Sequence, residues 1–319
     1  MEPVRLGILS TARINHAVLV PARETDKATV LAVASRDAAR AEAYAAEHGV
    51  ERAYGSYEEL LGDSDVEAVY VSLPNSLHVD WAIRALEAGK HVLVEKSFSA
   101  EPAEVERAFD AADRAGLLLM EAFMYRHHAQ TRRLAEVVQA GEIGELRQLR
   151  SSFSFTLDHP DDVRWRPELG GGALLDLGCY CVSVIRLLAG EPELVSGFAR
   201  TATSGVDAAF SGLLQFPGEV LAEFHCAYDL PQASGLEAIG SQGTVVVLEP
   251  FHCWDPHLQV NGERIDVADI DRYLLQLENF CDAIRGEGEP LLDREDALGQ
   301  ARTLAGLLRS AESVAAVAP

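Results

Sequence analysis

The chain has 319 residues, 48% of them hydrophobic and 24% charged, which is the balance of a sequence that buries a core. At roughly 100 to 200 residues per domain it calls for two domains. A formal net charge of -23 repels phosphate backbones and anionic lipid, so neither nucleic acid nor a membrane surface is an expected partner. Apolar runs such as 117–120 and 244–248 fall far short of the ~20 residues that span a bilayer. Met1 leads within three residues into a core strand, so a cytoplasmic protein is expected. Five scattered cysteines without a C-x-x-C pair point to neither a disulfide framework nor a metal site.

In chain order the first half alternates apolar runs with helical patterns. Strands are expected over 4–9, 28–34, 67–73, 91–95 and 117–121. Between them come helices over 14–24, 37–48 closed by Gly49, 77–88 stopped by Gly89, and 102–115 closed by Gly116. Uninterrupted apolar strands separated by helices need a parallel sheet covered on both faces, so residues 1–121 read as an α/β, doubly wound domain. After Phe123 the rhythm changes. A helix over 131–139 is followed by period-2 alternation over 146–157, 193–203, 207–216, 220–228 and 235–239, the mark of an antiparallel sheet with one polar face. A glycine-started helix over 172–188 interrupts these strands, and helices over 271–284 and 293–314 close the chain. Residues 122–319 therefore read as an α+β domain with a large, mainly antiparallel open sheet.

The first strand runs into Ser10-Thr11-Ala12-Arg13-Ile14, where a dinucleotide fold places its glycine-rich turn. All three glycines are replaced, yet Ser10 and Ala12 are small enough to let backbone N–H groups approach a pyrophosphate at a helix N-terminus. The second strand ends in Ser35-Arg36-Asp37, with Arg40 one turn on. Arginine at that place accommodates a 2′-phosphate, so NADP(H) is favoured over NAD(H); Asp37 is the residue that would reverse the choice, unless it caps the helix.

Three further segments carry a resemblance: Pro74-Asn75-Ser76-Leu77-His78, Glu95-Lys96-Ser97, and 170–180, which holds three glycines, Asp176, Gly178 and Tyr180. Together they resemble the Gfo/Idh/MocA oxidoreductases, with a P-N-x-x-H stretch, an E-K-P motif and a G-G-G…D-x-G-x-Y/H helix. Residues 9–12, 121–126 and 165–167 are similar to the branch of NADP-dependent xylose dehydrogenase, dihydrodiol dehydrogenase and glucose-fructose oxidoreductase. The resemblance implies an N-terminal Rossmann domain and a C-terminal sheet whose open face makes a homodimer or homotetramer. It also implies that Lys96, Asp176 and Tyr180 are catalytic, with Tyr180 the proton donor. Ser97 stands where the family has proline.

The chemistry of these residues fits that role. Oxidising a secondary alcohol sends a hydride to nicotinamide and a proton to a base, and a lysine ammonium near a phenol favours the phenolate. Asp176 precedes Tyr180 by four residues, placing both on one face of a helix. Cofactor contacts are expected from Ser10, Thr11, Ala12, Arg13, Ile14, Ser35, Arg36, Arg40, Leu73, Asn75, His78, Glu95, Lys96, Trp165 and Arg166. Substrate contacts are expected from Tyr125, Arg126 and Tyr180. The expected activity is an NADP(H)-dependent dehydrogenase or reductase acting on a sugar, polyol or cyclic diol. A glycosidase-type enzyme that retains its nicotinamide, and a non-enzymatic NADP-sensing regulator, stand as alternatives.

Overall fold

The computed structural model describes residues 2–313 and divides into two compact units. The first unit comprises Met1–Ser99, Ala103–His127 and Ile270–Ala297. Its sheet holds β1 (Val4–Leu9), β2 (Ala28–Ala34), β3 (Arg52–Tyr54), β4 (Ala68–Val71), β5 (His91–Glu95) and β6 (Leu119–Ala122). The order is β3-β2-β1-β4-β5-β6 and every pairing is parallel. Strands β1, β4 and β5 are apolar along nearly their whole length because helices cover both faces. The chain order reverses between β1 and β4, which opens a crevice at their carboxyl ends, the place where such sheets take ligands.

The helix expected over 14–24 is broken. Arg13–Asn15 is a 3-10 turn, α1 (His16–Leu19) is a single helical turn, and Pro21 starts a second 3-10 turn. Proline has no N–H to return to a carbonyl four residues back, so the helix cannot run through it. Helix α2 (Ala38–His48) is capped by Asp37, whose side chain accepts the Arg40 N–H at 3.1 Å, and it ends at Gly49 in the left-handed region. Then follow α3 (Tyr57–Leu61), α4 (His78–Glu87) and α5 (Pro102–Ala115).

Among the described residues the second unit comprises Ala100–Pro102, His128–Asp269 and 298–313. It opens with α6 (Ala129–Gln139) and β7 (Leu146–Thr156). Next is a π-helical turn Leu174–Gly178, continued by α7 (Cys179–Ala189). The remaining strands are β8 (Leu194–Thr201), β9 (Asp207–Gln215), β10 (Leu221–Ala227), β11 (Asp229–Gly240), β12 (Thr244–Val247), β13 (His257–Val260) and β14 (Glu263–Asp266). They form an eight-stranded sheet in the order β14-β13-β12-β11-β7-β10-β9-β8, antiparallel except where β10 meets β7. Inner positions such as Phe210, Leu214, Ala222 and Phe224 are buried, while their outer neighbours are exposed.

Among the further departures from the sequence reading are two longer segments. Helix α8 (Arg272–Arg285) follows the second sheet in the chain but belongs to the first unit. There Lys27 Nζ stands 2.8 Å from Asp282, Thr25 donates to Glu278 at 2.9 Å, and Arg285 pairs with Glu67 at 3.0 Å. These partners lie more than 200 residues apart, beyond any local pattern. The final helix, α9 (Arg294–Ser313), starts in the first unit and continues in the second. The other segment is Pro167–Ala189, long and apolar enough by composition to cross a membrane. In the structure its stretch from Gly172 to Arg186 is mostly buried inside the protein, and it breaks into 3-10, π and α pieces, so it is a core segment.

Candidate functional site

At the carboxyl end of β1 the turn without glycines is braced by side chains. The Ala12 N–H donates to Ser10 Oγ at 3.0 Å, and Ser10 Oγ lies 2.8 Å from Ser72 Oγ. Ser72 Oγ in turn donates to Asn15 Oδ1 at 2.6 Å, and Asn15 Nδ2 returns to the Ser10 carbonyl at 3.0 Å. One hydroxyl proton per serine therefore orders the whole chain of bonds, which ties the exits of β1 and β4 across the crevice. Ser10, Ser72 and Asn15 are buried; Thr11, Ala12 and Ile14 are partly open, and Arg13 is exposed. Asn15 closes the turn read from the sequence and Ser72 opens the segment leading to Asn75, but that the two bond to each other depends on two strands meeting.

At the exit of β2, Ser35 is buried and accepts the Asp37 N–H at 3.3 Å, while Arg36 and Arg40 are exposed. Burial raises the phenol of Tyr57, and the charges of Arg36 and Arg40 pull against it, which puts both guanidiniums in the neighbourhood of one buried hydroxyl. With the Asp37 side chain engaged as a helix cap, the basic pair is what this strand end offers to a ligand.

At the exits of β4 and β5, His78 is fully buried, with Nε2 2.7 Å from the Leu73 carbonyl and Nδ1 2.9 Å from the Ser97 carbonyl. Burial pushes its pKa down to about 4, against the two carbonyls that pull it up, and the charge of Lys96 adds to the depression. The imidazole is thus neutral near pH 7, carries a single N–H and donates to one of these two carbonyls from inside the strand exits. Asn75 lies half-exposed at the start of α4. Glu95 is buried and accepts the Tyr70 hydroxyl, while Lys96 is half-buried at the mouth. From α8, Tyr273 sets its ring edge-on to His16 at 5.9 Å under the Arg272 guanidinium at 4.9 Å. Burial raises its phenol first and Glu95 adds to that, while Arg272 and Lys96 act oppositely. Tyr273 is a neighbour of this strand exit that the sequence did not disclose, since its helix lies at the other end of the chain. Tyr125 is fully buried edge-on to Phe123 at 6.2 Å, and Arg126 pairs with Asp296 at 3.3 Å.

In the second unit the site helix starts from Gly170-Gly171-Gly172. A Cβ on Gly171 would lie 2.3 Å from the Arg164 carbonyl, and Gly172 sits at φ +119° with Asp207 where its Cβ would be. Asp207 Oδ2 accepts the Leu174 N–H at 2.6 Å, and burial raises this carboxyl to about 6. The following turn is π-helical, a form that concentrates at functional sites, and it presents Asp176 and then Tyr180. Tyr180 is 7% exposed, its ring held by Phe153 at 5.5 Å and Phe251 at 5.3 Å. His252 packs on Phe153 at 5.3 Å and stacks at 4.2 Å on Trp254, which is 60% exposed. This aromatic ladder runs from Tyr180 to solvent and offers a flat face to a ring-shaped ligand. Arg164 Nε stands 2.8 Å from Asp176 Oδ2. Trp165 packs edge-on against Tyr228 at 5.2 Å, and Arg166 is exposed beside Glu168.

Comparison with known proteins agrees with this geometry. The family description "Oxidoreductase family, NAD-binding Rossmann fold" matches residues 4–123, and "GFO/IDH/MocA C-terminal domain" matches residues 131–246. The chain is 39% identical to a D-xylose 1-dehydrogenase (NADP(+)) of Haloferax volcanii, over 98% of each chain. It is also 39% identical to a trans-1,2-dihydrobenzene-1,2-diol dehydrogenase of Macaca fascicularis, over 82% of this chain and 79% of that one. A 3-ketoreductase from Actinomadura kijaniata, solved in complex with NADP and TDP-benzene, superposes with a TM-score of 0.91 at 32% identity, covering 97% of this chain and 98% of that one.

Proposed function

The chain belongs to the Gfo/Idh/MocA oxidoreductases, and from that membership we propose that it transfers a hydride between NADP(H) and a hydroxyl or carbonyl carbon of a sugar, polyol or cyclic diol. The observation that carries this reading is the braced crevice at β1 and β4 combined with the basic pair Arg36 and Arg40 at β2. Small residues at the first turn give a pyrophosphate room, and the two guanidiniums suit a 2′-phosphate. Asn75, Glu95 and the Leu73 segment border the same strand ends. Bound there, the cofactor supplies the hydride acceptor or donor.

The remaining chemistry falls to side chains. Tyr180, locked between Phe153 and Phe251, takes the hydroxyl proton in oxidation and returns it in reduction. Lys96 provides the positive charge that favours the phenolate. Asp176 holds a substrate hydroxyl, and the ladder ending in Trp254 lies against the apolar face of the substrate ring. Trp165 and Arg166 serve the cofactor side, while Tyr125 and Arg126 support the substrate wall from within. The outer sheet face exposes Phe198, Leu213, Leu221 and Leu248 around the ion pairs of Arg150 with Glu223 and Glu237. That face serves a homo-oligomer.

The test is a parallel titration with NADPH and NADH followed by nicotinamide fluorescence, then addition of aldoses, polyols and diols with the oxidised cofactor. Tighter NADPH binding and substrate-dependent reduction support the reading. Binding with no release of reduced cofactor for any substrate overturns it in favour of a retained-cofactor hydrolase or a sensor.

A further inference from the structure

We propose that Arg164 is a positioning residue that fixes the carboxylate of Asp176 in one orientation at the start of the site helix. The inference rests on the oxidoreductase reading above. Its geometry is local to the second unit. Arg164 Nε stands 2.8 Å from Asp176 Oδ2, and the Asp176 side chain is only 15% exposed. A carboxylate that deep beside Leu174 and Leu177 is penalised in its charged form unless a partner compensates.

Arg164 is itself held from several directions. Its N–H donates to Asp162 Oδ1 at 2.9 Å, its Nη1 lies 3.3 Å from Asp162 Oδ2, and its guanidinium faces the Phe155 ring at 5.9 Å. Its carbonyl accepts the Gly172 N–H at 3.0 Å and fills the space that any side chain at Gly171 would need. Backbone and side chain of one residue therefore seat both the glycine turn and the carboxylate that the turn delivers. A guanidinium fork suits this task better than a bare ammonium, because it engages Asp162 and Asp176 at once.

Two other titratable groups bear on Asp176: Tyr228, a neutral phenol that bonds to it, and the carboxyl of Asp207. Burial lifts the Tyr228 phenol well above its usual range, and the charge of Asp176 lifts it further; its hydroxyl lies 2.9 Å from the Gly172 carbonyl. Asp207 lies at the same helix start, bonded to the Leu174 N–H. Arg164, whose own proton is held most strongly by Asp176, supplies the opposing charge. The exposed Arg166 pairs with Glu168.

The experiment compares wild type, Arg164→Gln and Arg164→Lys in two readouts. In the pH profile of kcat/KM, Arg164→Gln is expected to move the acid limb up by about one pH unit or more, so that its loss is about tenfold or greater at pH values below the wild-type limb and disappears well above it. Arg164→Lys restores most of the wild-type profile. The second readout is the carboxyl 13C titration of aspartate-labelled protein, with the Asp176 signal assigned by its disappearance in Asp176→Asn. That signal titrates at higher pH in Arg164→Gln and needs no turnover. A uniform loss at every pH with an unmoved Asp176 titration overturns the proposal and leaves Arg164 a scaffold residue only. If wild type has no oxidoreductase activity, the functional reading fails separately, while the carboxyl titration still decides the role of Arg164.

Discussion

The two units hold their expected site segments in opposite ways. In the first, the expected contacts sit in short turns at the ends of parallel strands, and polar contacts between neighbouring turns, such as Ser10 with Ser72 and the buried His78 between the Leu73 and Ser97 carbonyls, hold them in place. In the second, the site helix depends on partners brought from elsewhere in the unit: Asp207 on the Leu174 N–H, Arg164 on Asp176, Phe251 on Tyr180. A doubly wound sheet delivers ligand-binding loops to one edge by its topology alone. An antiparallel sheet supplies only a wall, so the residues that aim a side chain over it must be assembled one by one.

Perturbing each half separates these designs. Tyr180→Phe deletes the proton path and leaves the aromatic cage, so turnover should fall by about 10²- to 10⁴-fold while NADPH affinity stays unchanged; equal turnover in a steady-state assay removes Tyr180 from the reaction.

His78 tests the first unit through pH. Its folded-state pKa of about 4 lies below the 6.5 of an unperturbed imidazole. The folded state therefore resists its protonation. This contribution is fully present above pH 6.5, declines as pH falls below that value and is gone below about pH 4. The span is worth about 3 kcal/mol at most. Urea unfolding of wild type and His78→Gln at pH 7.5 and pH 4.5 should show a smaller acid loss in the variant, and identical pH slopes would show that His78 is not the buried neutral imidazole described.

Arg36→Ala should weaken NADPH by about 1.5 to 3 kcal/mol, the worth of a charged hydrogen bond, and leave NADH nearly untouched. Equal losses in the fluorescence titration would remove the 2′-phosphate role. In the second unit, Gly171→Ala drives a Cβ against the Arg164 carbonyl 2.3 Å away and should cost about 1 to 3 kcal/mol of stability. An unchanged denaturation midpoint would mean that the glycine turn has room to move.

The sequence discloses the first unit well for a physical reason. Apolar runs at strand length and glycine at helix ends are local signals, so β1, β2 and β5 fall where the periodicity places them, whereas the helix expected over 14–24 passes over the equally local signal of Pro21. It fails where the deciding partner is distant. Asp37 reads equally as a ribose ligand and a helix cap, and only the fold shows it capping α2. Arg164 stands next to the expected Trp165 and Arg166, yet nothing in that tripeptide says which side chain turns toward Asp176. Tyr273 and the ladder from Phe251 to Trp254 lie outside every motif.

Scarcity misleads in the same way. The three lysines invite a chemical reading, but Lys90 is buried and donates to the Asp63 and Val66 carbonyls at 2.7 Å, and Lys27 pairs with Asp282. Lys96 alone of the three occupies a strand exit of the crevice edge.

Hydride transfer itself is the claim on which the account stands. It is tested most directly by incubating the protein with the carbonyl form of its best substrate and NADPH deuterated at the transferable C4 position, then locating the label in the product by mass spectrometry. The account predicts one deuterium on the carbon bearing the new hydroxyl and stoichiometric NADP+. Product free of deuterium, or turnover without net cofactor oxidation, would contradict it.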